Sequence, residues 1–146
     1  MKRKTLSRLA VAAVAAAALI QFIPVNKTNP PVEQEPYMPD SVKTVLSKAC
    51  YDCHSNQTNW PWYSRIAPVS WLVAWDVKEG RSELNFSTWN RMPPEKRDRM
   101  WQEIWEMVEK GEMPPMIYTP AHPEARLTDA EKETIRAWTA FPTAAP

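Results

Sequence analysis

The feature that most constrains this chain is a pair of cysteines, Cys50 and Cys53, separated by two residues and followed directly by His54. They are the only two cysteines among the 146 residues, so no larger disulfide framework competes for them. Thiols at this spacing can each bond one vinyl group of the same porphyrin, and an imidazole directly after the second thiol then lies beside the iron. The motif predicts one covalent c-type haem per chain, with His54 as an iron ligand.

Three other interpretations of the cysteine pair remain. A redox-active disulfide normally follows a strand in a βαβ unit, and the sequence predicts no such unit. A zinc site would draw its further ligands from His54 and His122, and His54 is poorly placed beside Cys53 to share one tetrahedral metal with both thiols. A structural disulfide across a tight loop is the third alternative. Haem attachment is preferred because the whole five-residue pattern matches that motif.

The N-terminal region has the pattern of an export segment. Basic residues at positions 2, 3, 4 and 8 precede an apolar run from Leu9 to Ile23 that only Gln21 interrupts. We assign residues 1–26 to a signal anchor or signal peptide, and favour an uncleaved anchor because the run stays apolar to its end. Since the basic end remains inside, the rest of the chain is expected on the periplasmic side of the inner membrane, or free in the periplasm after cleavage.

The net charge of +1 hides an uneven distribution. Five of the 18 basic residues lie within the first 27 positions, whereas all 17 acidic residues follow them, so the chain from residue 28 onward carries a net charge of −4. A mildly acidic exported domain argues against nucleic acid or anionic lipid headgroups as partners. Residues 27–39 are rich in proline and polar side chains and are predicted to be a semi-rigid linker, which leaves residues 40–146 as one haem-binding domain.

Helices dominate the expected fold of this domain, and no alternating strand pattern is convincing. Gly80 and Gly111 each follow a helical run, as expected of residues just past a helix end. Thr128 and Glu131 have the spacing of a capping box. The last helix is expected to bury Ile135, Trp138 and Phe141. The predicted helices run from Asp40 into Cys50, from Val69 to Glu79, from Pro93–Pro94 to Lys110, and onward from Thr128. The first of them is expected to place Val42, Val45, Leu46 and Ala49 on one apolar face. The predicted class is all-α.

The second axial ligand of the iron decides which function a haem would have. Met113 is the preferred candidate, since it lies in a loop and the two prolines after it stiffen the backbone. Met100 and Met107 lie at helical spacing within an apolar stripe, where a core role is favoured. His122 lies between prolines in a loop, where hydrogen bonding is as good an explanation as ligation. The other candidates are Met38, Met92 and Met116.

Several short motifs resemble those of known haem proteins. The haem motif, the Gly111–Pro115 loop and the capped last helix with Trp138 resemble a class I cytochrome c, which implies His54 and Met113 as axial ligands and a small cytochrome c-like helical domain. More narrowly, the chain resembles a family of membrane-anchored bacterial haem-binding domain proteins. That resemblance extends over nearly everything after the linker and rests on Cys53-His54-Ser55-Asn56, Trp60-Pro61-Trp62-Tyr63-Ser64, Ala67-Pro68-Val69-Ser70-Trp71 and Leu84-Asn85-Phe86-Ser87.

Five of the eight tryptophans lie between the haem motif and the long helix. Packing in the core and haem pocket is the favoured explanation, and a surface for a redox partner or the membrane interface is the alternative.

The expected function is single-electron transfer by a membrane-anchored monohaem cytochrome with an unidentified redox partner protein and no catalytic residues. A haem sensor or peroxidase-like enzyme is the alternative, and it would need a displaceable distal ligand, with His122 or Arg65 near the iron.

Overall fold

The fold is described for residues 2–141 from a computed structural model. Within that range the chain is helical, and its one pairing of extended backbone is an isolated bridge between Gln34 and Thr88. The predicted all-α class is therefore confirmed. The α-helices of this range are α1 (Lys2–Leu19), α2 (Asp40–Ala49), α3 (Tyr51–His54), α4 (Val69–Glu83), α5 (Pro94–Glu109) and α6 (Asp129–Ala140).

The chain divides into two compact units. The first unit comprises the residues up to 28 together with residues 60–76, and the second comprises residues 29–59 together with those from 77 onward. In the second unit the predicted linker is hydrogen-bonded to the domain along part of its length. The backbone N–H groups of Glu33 and Gln34 donate to the Ser87 carbonyl, and the N–H of Trp89 donates to the Gln34 carbonyl. The boundaries at residues 26 and 39 remain sequence predictions.

The hydrophobic core of the second unit lies among α2, α5 and α6. Phe86 is at its centre, 1% exposed, and its ring stacks on Tyr51 with centroids 5.4 Å apart. Trp138 of α6 packs on the same ring and donates its indole N–H to the Tyr37 carbonyl, so its one polar atom is satisfied. The predicted apolar face of α2 is confirmed, and it buries Val42, Val45, Leu46 and Ala49.

The end predicted for α4 at Gly80 is wrong, because the helix continues to Glu83. Gly80 is instead the point where α4 passes closest to the haem motif. A Cβ atom built at Gly80 would lie 2.6 Å from the carbonyl oxygen of Cys53 and 3.0 Å from its Cβ. Glycine is required at this position by a close approach of two backbones, which a single sequence does not distinguish from a helix end.

The C-terminal end of α5 and the N-terminal end of α6 agree with the sequence predictions. Gly111 follows α5 with φ of 71°, the left-handed conformation that glycine adopts without strain. At the start of α6, Thr128 and Glu131 form the predicted capping box. One expected core residue is misplaced: Phe141 is 78% exposed, because α6 ends at Ala140 and the backbone turns out of helical conformation at Phe141.

The apolar N-terminal segment forms α1 and a short 3₁₀ turn over Ile20–Phe22. The stretch Arg3–Phe22 is long and apolar enough to cross a membrane, and none of it is buried inside the protein. A signal sequence and a membrane anchor share these properties, so the helix fits either of the two predicted roles.

Candidate functional site

The haem motif begins at the break between α2 and α3. Cys50 departs from helical geometry between α2 and α3, with φ of −127°, yet its N–H still donates to the Leu46 carbonyl at 2.8 Å. The N–H groups of Cys53 and His54 both donate to the carbonyl of Cys50, at 3.2 and 2.9 Å. The two thiols and the imidazole are therefore presented from a single helical turn.

The His54 ring is fixed in orientation by backbone carbonyls of α4 and its C-terminal end. Its Nδ1 lies 2.9 Å from the Gly80 oxygen and 3.1 Å from the Leu84 oxygen. Carbonyl oxygens only accept hydrogen bonds, so Nδ1 carries the proton and Nε2 keeps a free lone pair. A histidine that donates through one nitrogen and offers the other is the arrangement expected of a metal-ligating imidazole.

Burial also favours the neutral form of the imidazole. It lowers the pKa of His54 below its ordinary value, and the hydrogen bonds to Leu84 and Gly80 oppose that shift only in part. A neutral ring is the form that binds iron. The electrostatics and the hydrogen bonding of His54 therefore point to the same chemical role.

Neither cysteine is part of a disulfide, and both lie at intermediate depth. Cys50 packs against the hydrophobic core, and burial, followed by the neighbouring Cys53, raises the pKa of its thiol to about 12. The environment of Cys50 thus suits an uncharged sulfur, which is what a thioether to a porphyrin provides.

The zinc alternative is opposed by the arrangement of possible ligands. Among residues 2–141, no three His, Cys, Asp or Glu side chains are grouped as they would be around a metal ion. The residues present do fit a haem, with two thiols and an imidazole that offers its Nε2. Because the close approach of Gly80 fixes α4 against this turn, the donor set is preorganised.

The segment that follows His54 is anchored by the Leu84–Ser87 stretch. The N–H of Phe86 donates to the His54 carbonyl at 2.8 Å, and the N–H of Asn56 donates to the Ser87 hydroxyl at 2.9 Å. The Asn85 amide donates to the Asn56 side chain at 2.8 Å. Asn85, Phe86 and Ser87 therefore position the chain just after His54. The sequence analysis noted their motif only as part of a family resemblance.

Arg81 supports the same segment from α4. Its Nε donates to the Ser55 carbonyl at 2.8 Å, and its Nη2 donates to the hydroxyl of Thr58 at 2.8 Å and to the side-chain oxygen of Asn29 at 3.0 Å. The side chain of Arg81 is half-buried, and its guanidinium binds the chain just after the haem motif.

The loop after α5 is tied to the haem motif through Tyr118. The phenol donates to Oδ2 of Asp52, between the two cysteines, at 2.8 Å, while Oδ1 of Asp52 accepts the N–H of Asn59. The ring of His122 stacks on Tyr118 with centroids 4.1 Å apart, and its Nδ1 lies 3.1 Å from Glu124. Sequence reasoning missed Asp52 and Tyr118, which are 66 positions apart and have no pattern in common.

The candidates for the second axial ligand lie in different environments. Met113 is half-buried in its loop, and its N–H donates to the Met107 carbonyl at 3.1 Å, which holds the loop against the end of α5. Met100 is 5% exposed in the core, as predicted, and Met92 packs against that core. Met116 is 85% exposed. The sulfur of Met38 accepts a hydrogen bond from the Tyr51 hydroxyl at 3.7 Å.

The five clustered tryptophans have different environments, so packing explains only some of them. Trp89 is buried in the core of the second unit, as the favoured explanation requires. In the first unit, Trp60 and Trp71 are half-buried, whereas Trp62 is 73% and Trp75 is 58% exposed. The exposed pair leaves the alternative of an interaction surface open.

A small helical domain that presents two thiols and an oriented imidazole has the properties of a haem protein. In agreement with this, the chain belongs to the haem-binding domain family, whose model matches residues 15–140. Neither the curated proteins nor the solved structures that were searched contain a match. Haem binding is therefore the function that family membership supports.

Proposed function

We propose that this protein is a membrane-anchored monohaem cytochrome of the c type that carries single electrons on the periplasmic side of the inner membrane. The observation that carries the proposal is the His54 imidazole, with its Nδ1 held by two carbonyls and its Nε2 left for iron, one residue after the second of two free thiols. When bound, the haem supplies an iron that alternates between the ferric and ferrous states.

Cys50 and Cys53 have the role of covalent attachment. Each thiol would form a thioether by addition to one vinyl group, and its hydrogen would pass to the neighbouring vinyl carbon, so that no other reactant is consumed. The packing of Cys50 against the core and the close approach of Gly80 to Cys53 would position both residues for this addition.

Met113 is proposed as the second axial ligand. Its loop is anchored to α5 through the Met107 carbonyl and stiffened by Pro114 and Pro115, which supports a thioether held in a fixed position. A methionine ligand favours the ferrous state and raises the reduction potential. A firmly held sixth ligand also excludes small molecules from the iron, as an electron carrier requires.

The N-terminal helix is proposed to remain as the membrane anchor. Its length, its exposure and its basic N-terminal end support a span with that end in the cytoplasm. The haem domain would then lie where c-type haem is attached, with a redox partner protein that is not identified. Fractionation of cells and alkaline carbonate extraction test this part: retention of the full chain in the membrane pellet supports an anchor, and release into the periplasmic fraction contradicts it.

The electron-carrier proposal is tested by visible spectra of the haem-loaded full chain, oxidised and reduced, with and without carbon monoxide. We expect haem that resists extraction by acidified acetone, low-spin spectra in both states and no spectral change with carbon monoxide. Met113→Ala should abolish the methionine-to-iron charge-transfer band and open the iron to carbon monoxide. Met116→Ala, at an exposed methionine three residues further on, is the matched control and should retain both properties.

Other outcomes would point to the alternative function. A high-spin spectrum, or rapid carbon monoxide binding by the unmutated protein, would contradict firm ligation by Met113 and favour a haem sensor or a peroxidase-like enzyme. Haem that is fully extracted by acidified acetone would contradict the c-type assignment, while leaving haem binding itself intact.

A further inference from the structure

An almost uncharged segment of the first unit is unusually exposed. Between Trp60 and Trp75 the one charged residue is Arg65. Instead of being buried, large apolar side chains of this segment face outward, with exposed fractions of 73% for Trp62, 58% for Trp75 and 50% for Leu72. Large apolar side chains exposed together in one segment are typical of an interaction site.

The exposed side chains follow the helical repeat at the start of α4. Val69, Leu72 and Trp75 are spaced three residues apart and all are exposed, whereas Ser70 between them is buried. Because residues at this spacing share one side of a helix, the outward side of the first turns of α4 is apolar. Trp62 and Ile66, from the short turn before the helix, are exposed as well. We call these five residues the tryptophan surface.

The chain segment that carries the tryptophan surface is hydrogen-bonded to the C-terminal end of the apolar N-terminal helix. The Gln21 side chain accepts the N–H of Ala67 at 2.9 Å and donates to the carbonyl of the same residue at 3.1 Å. A few residues further on, Lys27 donates to the Ser64 carbonyl at 3.0 Å. Both the oxygen and the nitrogen of the Gln21 side-chain amide are thus paired with the backbone of Ala67.

The position of Gln21 along the helix relates these bonds to a bilayer. Gln21 lies about 27 Å along a helix from Arg3, at 1.5 Å per residue, and the hydrocarbon core of a bilayer is about 30 Å thick. If α1 spans, Gln21 lies near the outer boundary of the hydrocarbon, and Ala67, bonded to it, lies at the same depth. A paired glutamine is also the form in which a polar side chain is tolerated there.

We propose that the tryptophan surface is a membrane-binding surface that sits in the interfacial layer of the same bilayer that α1 crosses. Tryptophan prefers this layer because its ring is apolar and its N–H can still reach water or headgroups. Arg65 suits the same place, since its long side chain can extend to lipid phosphates. The inference rests on the proposed anchoring by α1 and adds a second, peripheral contact with lipid.

Photolabelling of the haem-loaded full chain tests the proposal. The chain would be reconstituted into vesicles of phosphatidylethanolamine and phosphatidylglycerol that contain a phosphatidylcholine with a diazirine close to its ester carbonyls. After illumination, trypsin cleavage at Arg65 and Lys78 releases the peptide Ile66–Lys78. Cleavage at Arg99 and Lys110 releases Met100–Lys110 from α5, which also contains two tryptophans and is the matched control peptide.

We expect severalfold more lipid adducts on Ile66–Lys78 than on Met100–Lys110. The triple variant Val69→Ser/Leu72→Ser/Trp75→Ser should lose this excess while its haem spectrum stays unchanged. Met116→Ser/Ile117→Ser changes two exposed apolar residues of the second unit and should keep the excess.

Three results would overturn the proposal. Equal labelling of the two peptides, with adducts still present on Leu9–Lys27, would leave the anchor in place and exclude the tryptophan surface from the bilayer. Absence of adducts from Leu9–Lys27 as well would exclude the anchor and the surface together. Equal labelling combined with a changed haem spectrum in the triple variant would instead assign these residues to the haem pocket.

Discussion

At the scale of single residues, the site depends on how closely two backbones approach at Gly80. Any side chain larger than hydrogen would meet the carbonyl oxygen of Cys53 at 2.6 Å, well inside van der Waals contact. The same turn of α4 supplies the Gly80 carbonyl that binds the His54 ring. One glycine therefore determines both the spacing of α4 from the haem motif and the orientation of the imidazole.

Gly80→Ala should destabilise the protein, although alanine is the better helix former by about 1 kcal/mol. The clash is with a backbone oxygen that cannot rotate away, and overpacking of this kind costs about 1–3 kcal/mol. Urea unfolding of the haem-loaded protein measures the loss. Ser82→Ala, at an exposed position two residues further along α4, should leave stability within about 0.5 kcal/mol. Equal stability of Gly80→Ala and wild type would show that α4 can move away freely.

At the scale of secondary-structure elements, the ends of α5 and α6 are determined by local backbone chemistry. Gly111 has φ of 71° and open space where a Cβ would be, so only backbone strain opposes a substitution there. Thr128 accepts the N–H of Glu131, while Glu131 accepts the N–H and hydroxyl of Thr128 and pairs with Lys48 of α2. The residues that determine each of these helix ends are close together in the sequence, so both ends could be predicted from it.

Gly111→Ala should cost about 1 kcal/mol, the penalty of the left-handed conformation for a residue with a Cβ. Gly111→Asn should cost less, because asparagine tolerates this conformation better than alanine does. Thermal unfolding of the two variants gives the comparison. Equal losses would mean that space, and not backbone strain, limits the site, contrary to the open surroundings of Gly111.

The cap of α6 should give stability that depends on pH. The hydrogen bond to Lys48, followed by that to the Thr128 backbone, lowers the pKa of Glu131 below its ordinary value of 4.5. A carboxylate whose folded pKa is lowered stabilises the fold above its unfolded pKa, and this contribution is lost as the pH falls through the folded pKa. Glu131→Gln should therefore destabilise the protein at pH 7, and the difference from wild type should shrink as the pH falls below the ordinary glutamate pKa of 4.5.

Urea unfolding across this pH range measures the effect, with Glu133→Gln as the control. Glu133 lies on the same helix, but its partner is Arg136 of that helix and both side chains are more than half exposed. An exposed pair of this kind contributes little. A difference for Glu131→Gln that is as large at pH 3 as at pH 7 would contradict the role of its charge. Thr128→Ala should cost about 1 kcal/mol at pH 7.

At the scale of the whole molecule, the hydrogen bond between Tyr118 and Asp52 joins the loop that follows Met113 to the haem motif. Asp52 lies between the two cysteines, so a movement of the loop would displace the haem motif through this hydrogen bond. Hydrogen bonds to a charged acceptor are stronger than neutral ones, at about 1.5–3 kcal/mol. This contact is therefore well placed to hold the proposed distal ligand near its iron.

Tyr118→Phe should loosen the loop without removing any proposed ligand. We expect a weaker methionine-to-iron band and faster carbon monoxide binding than in wild type, with low-spin haem retained in the absence of carbon monoxide. Stopped-flow mixing of the reduced protein with carbon monoxide provides the rate. Tyr37→Phe, at an exposed tyrosine, is the matched control and should bind at the wild-type rate. Equal rates in all three proteins would show that the hydrogen bond does not restrain the loop.

The sequence by itself determined what depends on neighbouring residues. The apolar face of α2, the glycine after α5 and the capping box of α6 are all encoded within a few positions, and each has the predicted form. The spacing of the two cysteines and the histidine is equally local, and covalent haem attachment through it stays a prediction. Tertiary structure alone decided the features that join distant segments. The continuation of α4 through Gly80, the carbonyls on His54 and the pairing of Asp52 with Tyr118 depend on which backbones meet in space. No local sequence pattern predicts these contacts, because they arise when distant segments pack against one another.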